Sequence, residues 1–176
     1  MRASGSPAPH RCRPASQLLY YLGLGSNLGD RRANIEKAVA FLQNCGRVVR
    51  RSALYETTPL GMPAAPLFYN LALALESGLN PQELLAAGQE HEASQGRDAE
   101  NSHYQDRPID IDILLAGDTV IDTPELTVPH PRLCQRAFVL VPLFEIAPKL
   151  VHPLEKVTVT QLLSRLRGQE KIRRLE

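Results

Sequence analysis

The order of strand-like and helix-like patterns is the feature that most limits what this chain can fold into. Short apolar runs bounded by turn residues predict strands, and apolar residues that recur every three to four positions predict helices. Strands are predicted over residues 18–24, 48–55, 67–75 and 107–115, and helices over residues 30–44 and 81–94. The order strand, helix, strand, strand, helix, strand is the split βαβ arrangement. The expected class is therefore α+β, a ferredoxin-like split βαβ sandwich with a mostly antiparallel sheet and helices packed on one face of it.

Turn and cap signals predict how these elements are connected. Asn80 followed by Pro81 and by Glu83 predicts a capped helix start. Gly117 and the aspartate after it predict a hairpin turn that leads into a returning strand over residues 119–121. Two further elements are predicted, a largely helical one over residues 133–146 and a closing helix over residues 159–166 with a basic tail.

The strand predicted over residues 107–115 alternates apolar and acidic side chains. Its three isoleucines face one way, and Asp110 and Asp112 face the other. Side chains two apart on a strand are separated by about 6.5–7 Å, so two carboxylates can share a pair of divalent cations about 4 Å apart. With Arg107 beside them, they would suit a polyphosphate. A solvent-facing edge strand is an equally good interpretation of these residues alone.

Length and composition indicate one folded domain over residues 17–176, preceded by a disordered extension over residues 1–16 that is rich in Pro, Ser, Ala and Arg. That extension lacks the apolar centre of a secretory signal, and no apolar run reaches the roughly 18 residues of a membrane span. Three scattered cysteines predict free thiols, and the net charge of +1 gives no indication of nucleic-acid or membrane binding. A cytoplasmic protein is expected, and nothing demands more than a monomer.

Glycine motifs for nucleotides are not present in their usual form. The run GLGSNLG over residues 23–29 has its third glycine one position late for a dinucleotide fingerprint, so tight packing between strand and helix explains it best. No GxxxxGK[ST] motif occurs. If the protein handles nucleotide phosphates, it must use metals and arginines.

Several polar positions have both a structural and a functional interpretation. Gln89 and Glu92 continue one helix stripe, which is either exposed to solvent or lines a polar cleft. His130 lies between two prolines, in a plain turn or as a rigid contact for a phosphate or ribose. Phe68 and Asn70 share one face of a strand, either as core residues or as a ring and an amide that bind a flat heterocycle.

Taken together, seven segments resemble the 6-hydroxymethyl-7,8-dihydropterin pyrophosphokinases, enzymes of folate biosynthesis. They follow the family's order and spacing and cover residues 24–29, 55–61, 68–70, 95–97, 107–114, 126–132 and 142–148. The pair RPIDIDIL and LTVPHPR at this separation is far more specific than any single short motif.

This resemblance implies transfer of the terminal pyrophosphoryl group of ATP to the hydroxymethyl oxygen of a reduced pterin, with release of AMP. Catalysis is assigned by similarity to Arg97 and Arg107, which contact the phosphates, and to Asp110 and Asp112, which hold two Mg²⁺ ions. Similarity places Gln89, Glu92, Ile113, Thr127, His130 and Arg136 at the ATP site, and Thr57, Thr58, Leu60, Phe68, Asn70 and Phe138 at the pterin site.

Residues 97–106 depart from the family pattern. Ala99 and His103 stand where a basic side chain is common, and residues 104–106 replace Trp-Gly-Pro with Tyr-Gln-Asp. Fewer permanent cations predict that this segment still closes over the site but binds MgATP less tightly than in typical members.

Two alternatives stay open at this stage. The same acid pair would serve another two-metal phosphoryl or nucleotidyl transferase, which would release ADP or pyrophosphate in place of AMP. A non-enzymatic ferredoxin-like module that binds a ligand or RNA would need exposed aromatic residues in basic surroundings, and aromatic residues make up only 5% of the chain.

Overall fold

The structure is a computed structural model that describes residues 17–59, 66–96, 106–166 and 171–175. The strands are β1 (Leu18–Ser26), β2 (Arg47–Arg51), β3 (Tyr55–Thr57), β4 (Phe68–Ser77), β5 (Asp110–Ala116), β6 (Ile121–Asp122), β7 (Thr127–Val128) and β8 (Ile172–Arg174). The helices are α1 (Arg31–Cys45), α2 (Pro81–Ser94), a 3₁₀ turn (Leu133–Gln135), α3 (Ala137–Ile146) and α4 (Val159–Arg165). The predicted extension over residues 1–16 lies outside the described residues.

Six strands form one sheet, and its register places the residues of the later site. The order is β5-β1-β4-β3-β8, with β2 pairing along another part of β4, and every pairing is antiparallel. The expected mostly antiparallel sheet is therefore confirmed. β1 lies between β5 and β4, and its Gly25 lies opposite Asn70 of β4 on one side and opposite Asp110 of β5 on the other.

One face of the sheet is covered by α1 and α2. Ile109, Ile111 and Ile113 are buried in this core, together with β1 and β4 leucines and with Ile35 and Leu42 of α1. The isoleucine side of the alternating strand is thus core, as its pattern predicts. Because side chains alternate along a strand, Asp110 and Asp112 face the opposite side of the sheet.

The other face carries α3 and α4, so the expectation that helices lie on one face only is wrong. Leucines at positions 71, 73 and 75 of β4 belong to the first core, whereas Ala72 and Ala74 pack with Leu140 and Leu143 of α3 in a second one. A strand that is apolar on both faces needs cover on both, which is the physical reason for the extra layer. In the described ranges no helix has the length and apolar character required to span a membrane.

Three local predictions also change. Residues 119–121 do not return along β5; instead, β6 pairs with β7 in a separate two-stranded sheet. The element predicted over residues 133–146 is interrupted at Arg136, whose φ of −118° and ψ of 113° are extended. The strand predicted over residues 48–55 is divided into β2 and β3, which pair with different parts of β4.

The last strand, β8, was not predicted. It pairs with β3 in antiparallel register, and two of its three residues are exposed. A short edge strand made of isoleucine and two arginines has no apolar alternation long enough to separate it from a solvated tail. The predicted helix starts are confirmed: Asp30 accepts a hydrogen bond from the Ala33 N–H, and Asn80 forms a capping box with Glu83.

Candidate active site

A cleft of about 380 Å³ opens on the α3 face of the sheet. Strands β1, β4 and β5 form its floor, and the segment from His130 to Val139 forms one wall. Many of the residues predicted for the site line it, namely Thr58, Phe68, Asn70, Arg107, Asp110, Asp112, His130, Arg136 and Phe138. The cleft therefore brings these predicted residues together from four separate parts of the chain.

Two carboxylates form the acidic part of this cleft. Arg107 Nη1 donates a hydrogen bond of 2.8 Å to Asp110 Oδ2. Burial, and next the negative charge of Asp110, raise the pKa of Asp112 to about 7, although Arg136 and Arg107 act in the opposite direction. A nearby cation would stabilise the ionised form of such a buried carboxyl group more than that of a solvated aspartate.

The donor set fits Mg²⁺ that binds together with a phosphate ligand. Among the described residues, no group of three or more His, Cys, Asp or Glu side chains is arranged to hold a metal. Mg²⁺ sites commonly use only one or two protein carboxylates, with substrate phosphates and water as the other ligands. Asp110 and Asp112 would supply those carboxylates.

Cationic and neutral donors surround the acid pair. Arg107, Arg132 and Arg136 all line the cleft. Burial, and then Arg136, lower the pKa of His130 to about 4, so its imidazole is neutral at pH 7. His130 Nδ1 accepts from the Arg132 N–H at 3.1 Å, which leaves the ring proton on Nε2. The wall thus offers N–H donors to an anion, and only the arginines carry charge.

The opposite end of the cleft is aromatic and carries an amide. Phe68 and Phe138 line it, together with Asn70, which is a buried residue of β4. Asn70 Nδ2 donates to Thr57 Oγ1 at 2.7 Å, so Thr57 orients the amide from behind and does not line the cleft. Leu60, the other backbone position predicted for this end, lies outside the described residues.

Two glycines of β1 form the floor between the acidic and aromatic ends. A Cβ added at Gly25 would lie 3.4 Å from Asn70 Oδ1 and 3.9 Å from Asp110 Cβ. The run over residues 23–29 was interpreted as packing between strand and helix, and that interpretation is wrong for Gly23 and Gly25, which lie within β1. No local signal identifies this role, because it depends on the register with β4 and β5.

A second group of predicted residues lies along the outer edge of β5 and not in the cleft. Glu92 is buried, and its Oε1 accepts a 2.6 Å hydrogen bond from the Ile111 N–H. Thr127 belongs to β7, which packs beside β5. The Ile113 side chain lies in the first core, and Gln89 is exposed on α2. Arg97 lies outside the described residues.

Asp112→Asn is expected to stabilise the metal-free protein at pH 8 but not at pH 4. The folded pKa is raised from 3.8 to about 7, so the folded chain retains a proton that the unfolded chain releases between these values. The free energy of unfolding of the unsubstituted protein therefore falls as the pH rises through this window. Because the asparagine cannot ionise, we expect the variant to be at least about 1 kcal/mol more stable above pH 7.

Urea unfolding in EDTA at pH 4, 6 and 8 measures this difference. Asp122→Asn, at an exposed aspartate of β6, is the matched control and should show no such trend. A stability difference for Asp112→Asn that is the same at all three pH values would contradict the assignment.

The fold and this cleft define a class of protein. It is a ferredoxin-like α+β domain whose cleft has an acid pair and arginines at one end, and aromatic rings and an amide at the other. This combination is typical of a transferase that binds two substrates. The chain belongs to the 7,8-dihydro-6-hydroxymethylpterin-pyrophosphokinase family, whose sequence profile matches residues 21–148. The resemblance drawn from the sequence is thereby confirmed.

Similar proteins agree with this family assignment. The 2-amino-4-hydroxy-6-hydroxymethyldihydropteridine pyrophosphokinase of Porphyromonas gingivalis is 45% identical over 139 residues, which is 77% of this chain and 94% of that protein. The Bacillus subtilis protein of the same name is 42% identical over 132 residues, or 74% of this chain and 78% of that one. A crystal structure of Plasmodium falciparum HPPK-DHPS matches with a TM-score of 0.69 at 16% identity. The match covers 86% of this chain but only 46% of that one, so it supports the fold alone.

Proposed function

We propose that this protein transfers the terminal pyrophosphoryl group of ATP to the hydroxymethyl group of 6-hydroxymethyl-7,8-dihydropterin, releasing AMP, as a step of folate biosynthesis. The observation that carries this proposal is the position of Gly25. Because Gly25 has no side chain, the cleft is continuous from its Asn70 end to its Asp110 end. A flat heterocycle and a polyphosphate can therefore lie next to each other over the same floor. The family of the chain names the same chemistry.

The reaction forms one bond to the β-phosphorus, breaks another and releases one proton. The hydroxymethyl oxygen attacks the β-phosphorus, the bond from that phosphorus to the oxygen bridging to the α-phosphorus breaks, and the hydroxyl proton is lost to solvent. Such transfers depend mainly on positioning and on electrostatic stabilisation of the phosphoryl oxygens. Arg107, Arg136 and the Nε2–H of His130 supply donors on the side of the cleft where those oxygens would lie.

The acid pair would hold Mg²⁺ with the triphosphate, and we propose two ions, as the family resemblance implies. When bound, the metal neutralises charge on the attacking and leaving oxygens. The adenosine would then follow the outer edge of β5, between the end of α2 that carries Gln89 and Glu92 and the strand that carries Thr127. In this arrangement Ile113 contributes backbone atoms only, since its side chain is in the core.

The pterin would occupy the aromatic end. Phe68 and Phe138 supply rings for stacking, and Asn70 supplies amide atoms for the heterocycle's hydrogen-bonding edge. The Thr57 hydroxyl fixes the Asn70 amide, because Asn70 Nδ2 donates to it and Oδ1 is left toward the floor at Gly25. Thr58 completes this end of the cleft, with Leu60 assigned to it by similarity alone.

Product analysis tests the proposal directly. Purified protein with ATP, Mg²⁺ and 6-hydroxymethyl-7,8-dihydropterin should form AMP and the pterin diphosphate in equal amounts. Formation of ADP would indicate ordinary phosphoryl transfer, and formation of pyrophosphate would indicate nucleotidyl transfer. No nucleotide product would favour a non-enzymatic module, although α3 and α4 cover the sheet face that such a module would need exposed.

The segment over residues 97–106 is proposed to bind MgATP less tightly than the basic segment of typical members. Ala99→Arg combined with His103→Arg is expected to lower the dissociation constant for MgATP by about tenfold, because charge-assisted contacts to phosphate are added. Stopped-flow ATP binding measures the change. Val120→Arg combined with Leu154→Arg, at two exposed sites, adds the same two charges and controls for net charge. Equal affinities in the double variant and the unsubstituted protein would contradict this explanation.

We further propose that the protein acts as a monomer in the cytoplasm. The proposal rests on the three scattered cysteines, which suit free thiols in a reducing compartment, and on a cleft that one copy of the chain forms from its own residues. Light scattering during size-exclusion chromatography should give a mass near 19.5 kDa.

A further inference from the structure

The backbone of Arg107 is held at two points by a single residue, Asn27. The Arg107 N–H donates to Asn27 Oδ1 at 2.7 Å, and the Asn27 N–H donates to the Arg107 carbonyl oxygen at 3.2 Å. Asn27 directly follows β1 and is only 2% exposed. Asn27 does not cap α1, because Asp30 makes that contact.

A third hydrogen bond sets the orientation of the Asn27 amide. Asn27 Nδ2 donates to Asp106 Oδ1 at 2.7 Å. A carboxylate can only accept, so it requires the NH₂ side of the amide to face Asp106 and leaves the carbonyl side for the Arg107 N–H. The two contacts of Asn27 are therefore linked through one planar group. Asp106 stands where the family resemblance places proline, so this contact is a feature of this chain.

The residue held in this way, Arg107, contacts one member of the acid pair. Arg107 lies three positions before Asp110, and its guanidinium donates to that carboxylate at 2.8 Å. Because Asn27 fixes both backbone polar groups of Arg107, the side chain leaves the backbone from a defined position. A shift of that backbone would move the guanidinium relative to Asp110 and to any phosphate that shares the site.

We propose that Asn27 and Asp106 are positioning residues that act through Arg107, holding its guanidinium at Asp110 for the phosphates of ATP. This inference rests on the proposed function. It differs from a general stabilising role, because the Asp106 side chain is exposed and its loss should cost the fold little. A charge-assisted hydrogen bond to the amide would be lost all the same.

Exchange of the two side chains gives a sharp test. Asn27→Asp sets two carboxylates against each other and is expected to lower kcat/KM for MgATP by at least about tenfold. Asp106→Asn keeps an acceptor oxygen and should stay within about twofold of the unsubstituted protein. The combined variant Asn27→Asp, Asp106→Asn restores the contact with donor and acceptor exchanged, and it should regain activity to within about threefold.

Dependence on Arg107 separates positioning from stability. Asp106→Ala should lower kcat/KM for MgATP by about fivefold or more in the otherwise unsubstituted protein but by less than about twofold when Arg107→Ala is already present. Pterin affinity without nucleotide and the Tm should change little. Asp118→Ala, at an exposed aspartate in the turn after β5, is the matched control.

Several results would overturn the inference. Unchanged MgATP kinetics in Asp106→Ala, or an equal loss with and without Arg107, would show that the contact does not act through this arginine. Failure of the exchanged pair to regain activity while the protein remains folded would do the same. Failure of the proposed function would look different, since the unsubstituted protein itself would then form no AMP from ATP and the pterin.

Discussion

Asp110→Ala is expected to lower kcat by at least about a thousandfold while the protein stays folded. Among the described residues that line the cleft, this aspartate is one of two carboxylates, and it is also a partner of Arg107. Its loss would remove one of the two carboxylates proposed to hold Mg²⁺ and one contact of Arg107, which is proposed to bind phosphate. Transition-state charge stabilisation of several kcal/mol by a metal corresponds to a rate factor of about 10³.

The fold should tolerate this change because the ion pair is partly solvated. The side chains of Arg107 and Asp110 are 21% and 23% exposed, and pairs near the surface typically contribute only about 0–1 kcal/mol. AMP formation at saturating substrates measures kcat, and circular dichroism with a thermal scan checks the fold. Asp118→Ala is the matched control and should keep full activity. A folded Asp110→Ala variant with normal turnover would remove the metal role from this residue.

Gly25→Val is expected to weaken pterin binding by at least about a hundredfold, since the added side chain fills the floor of the cleft. Valine suits a strand, so β1 should still form. The new atoms would start 3.4 Å from Asn70 Oδ1 and 4.0 Å from the Phe68 ring, where a stacked heterocycle would need to lie. Gly25→Ala adds less volume and should give an intermediate loss of about tenfold.

Titration calorimetry with the pterin alone measures this series. Gly78→Ala is the matched control, because a Cβ added at Gly78 meets nothing within 4 Å. The graded order from glycine to alanine to valine is the decisive feature, since a general folding defect would also lower the Tm. Pterin affinity that is the same in all three proteins would exclude the aromatic end of this cleft as the pterin site.

The alternating strand shows how far local patterns reach. Its two faces were predicted from residues 109–113, and the isoleucines are indeed buried. The pattern did not decide whether its acidic face binds a ligand or only faces solvent, because a solvated edge strand has the same alternation. The structure shows that Asp110 and Asp112 share a cleft with arginines from positions far along the chain. Only packing against the segment from His130 to Val139 distinguishes this acidic face from that of a solvated edge strand.

The layers of the fold show the same limit of local sequence patterns. The order of the predicted elements was sufficient to predict an α+β fold with an antiparallel sheet. It was not sufficient to predict that α3 and α4 lie on the second face of that sheet. A helix pattern reports that a helix has an apolar side and does not report which surface that side covers. The separate β6–β7 pair arose in the same way, because turn residues predict a reversal and not the partner of the strand that follows.

By itself, the sequence determined the split βαβ succession of strands and helices up to β5, apart from the division into β2 and β3. It also determined the buried side of β5, the helix cap at Asn80, and the family through its spaced motifs. These features depend on residues close together in the chain or on short segments that are specific as a set. Only the tertiary structure decided that Gly25 lies between Asn70 and Asp110, and that Asn27 holds Arg107. Such contacts depend on strand register and on long-range packing, which no local pattern encodes.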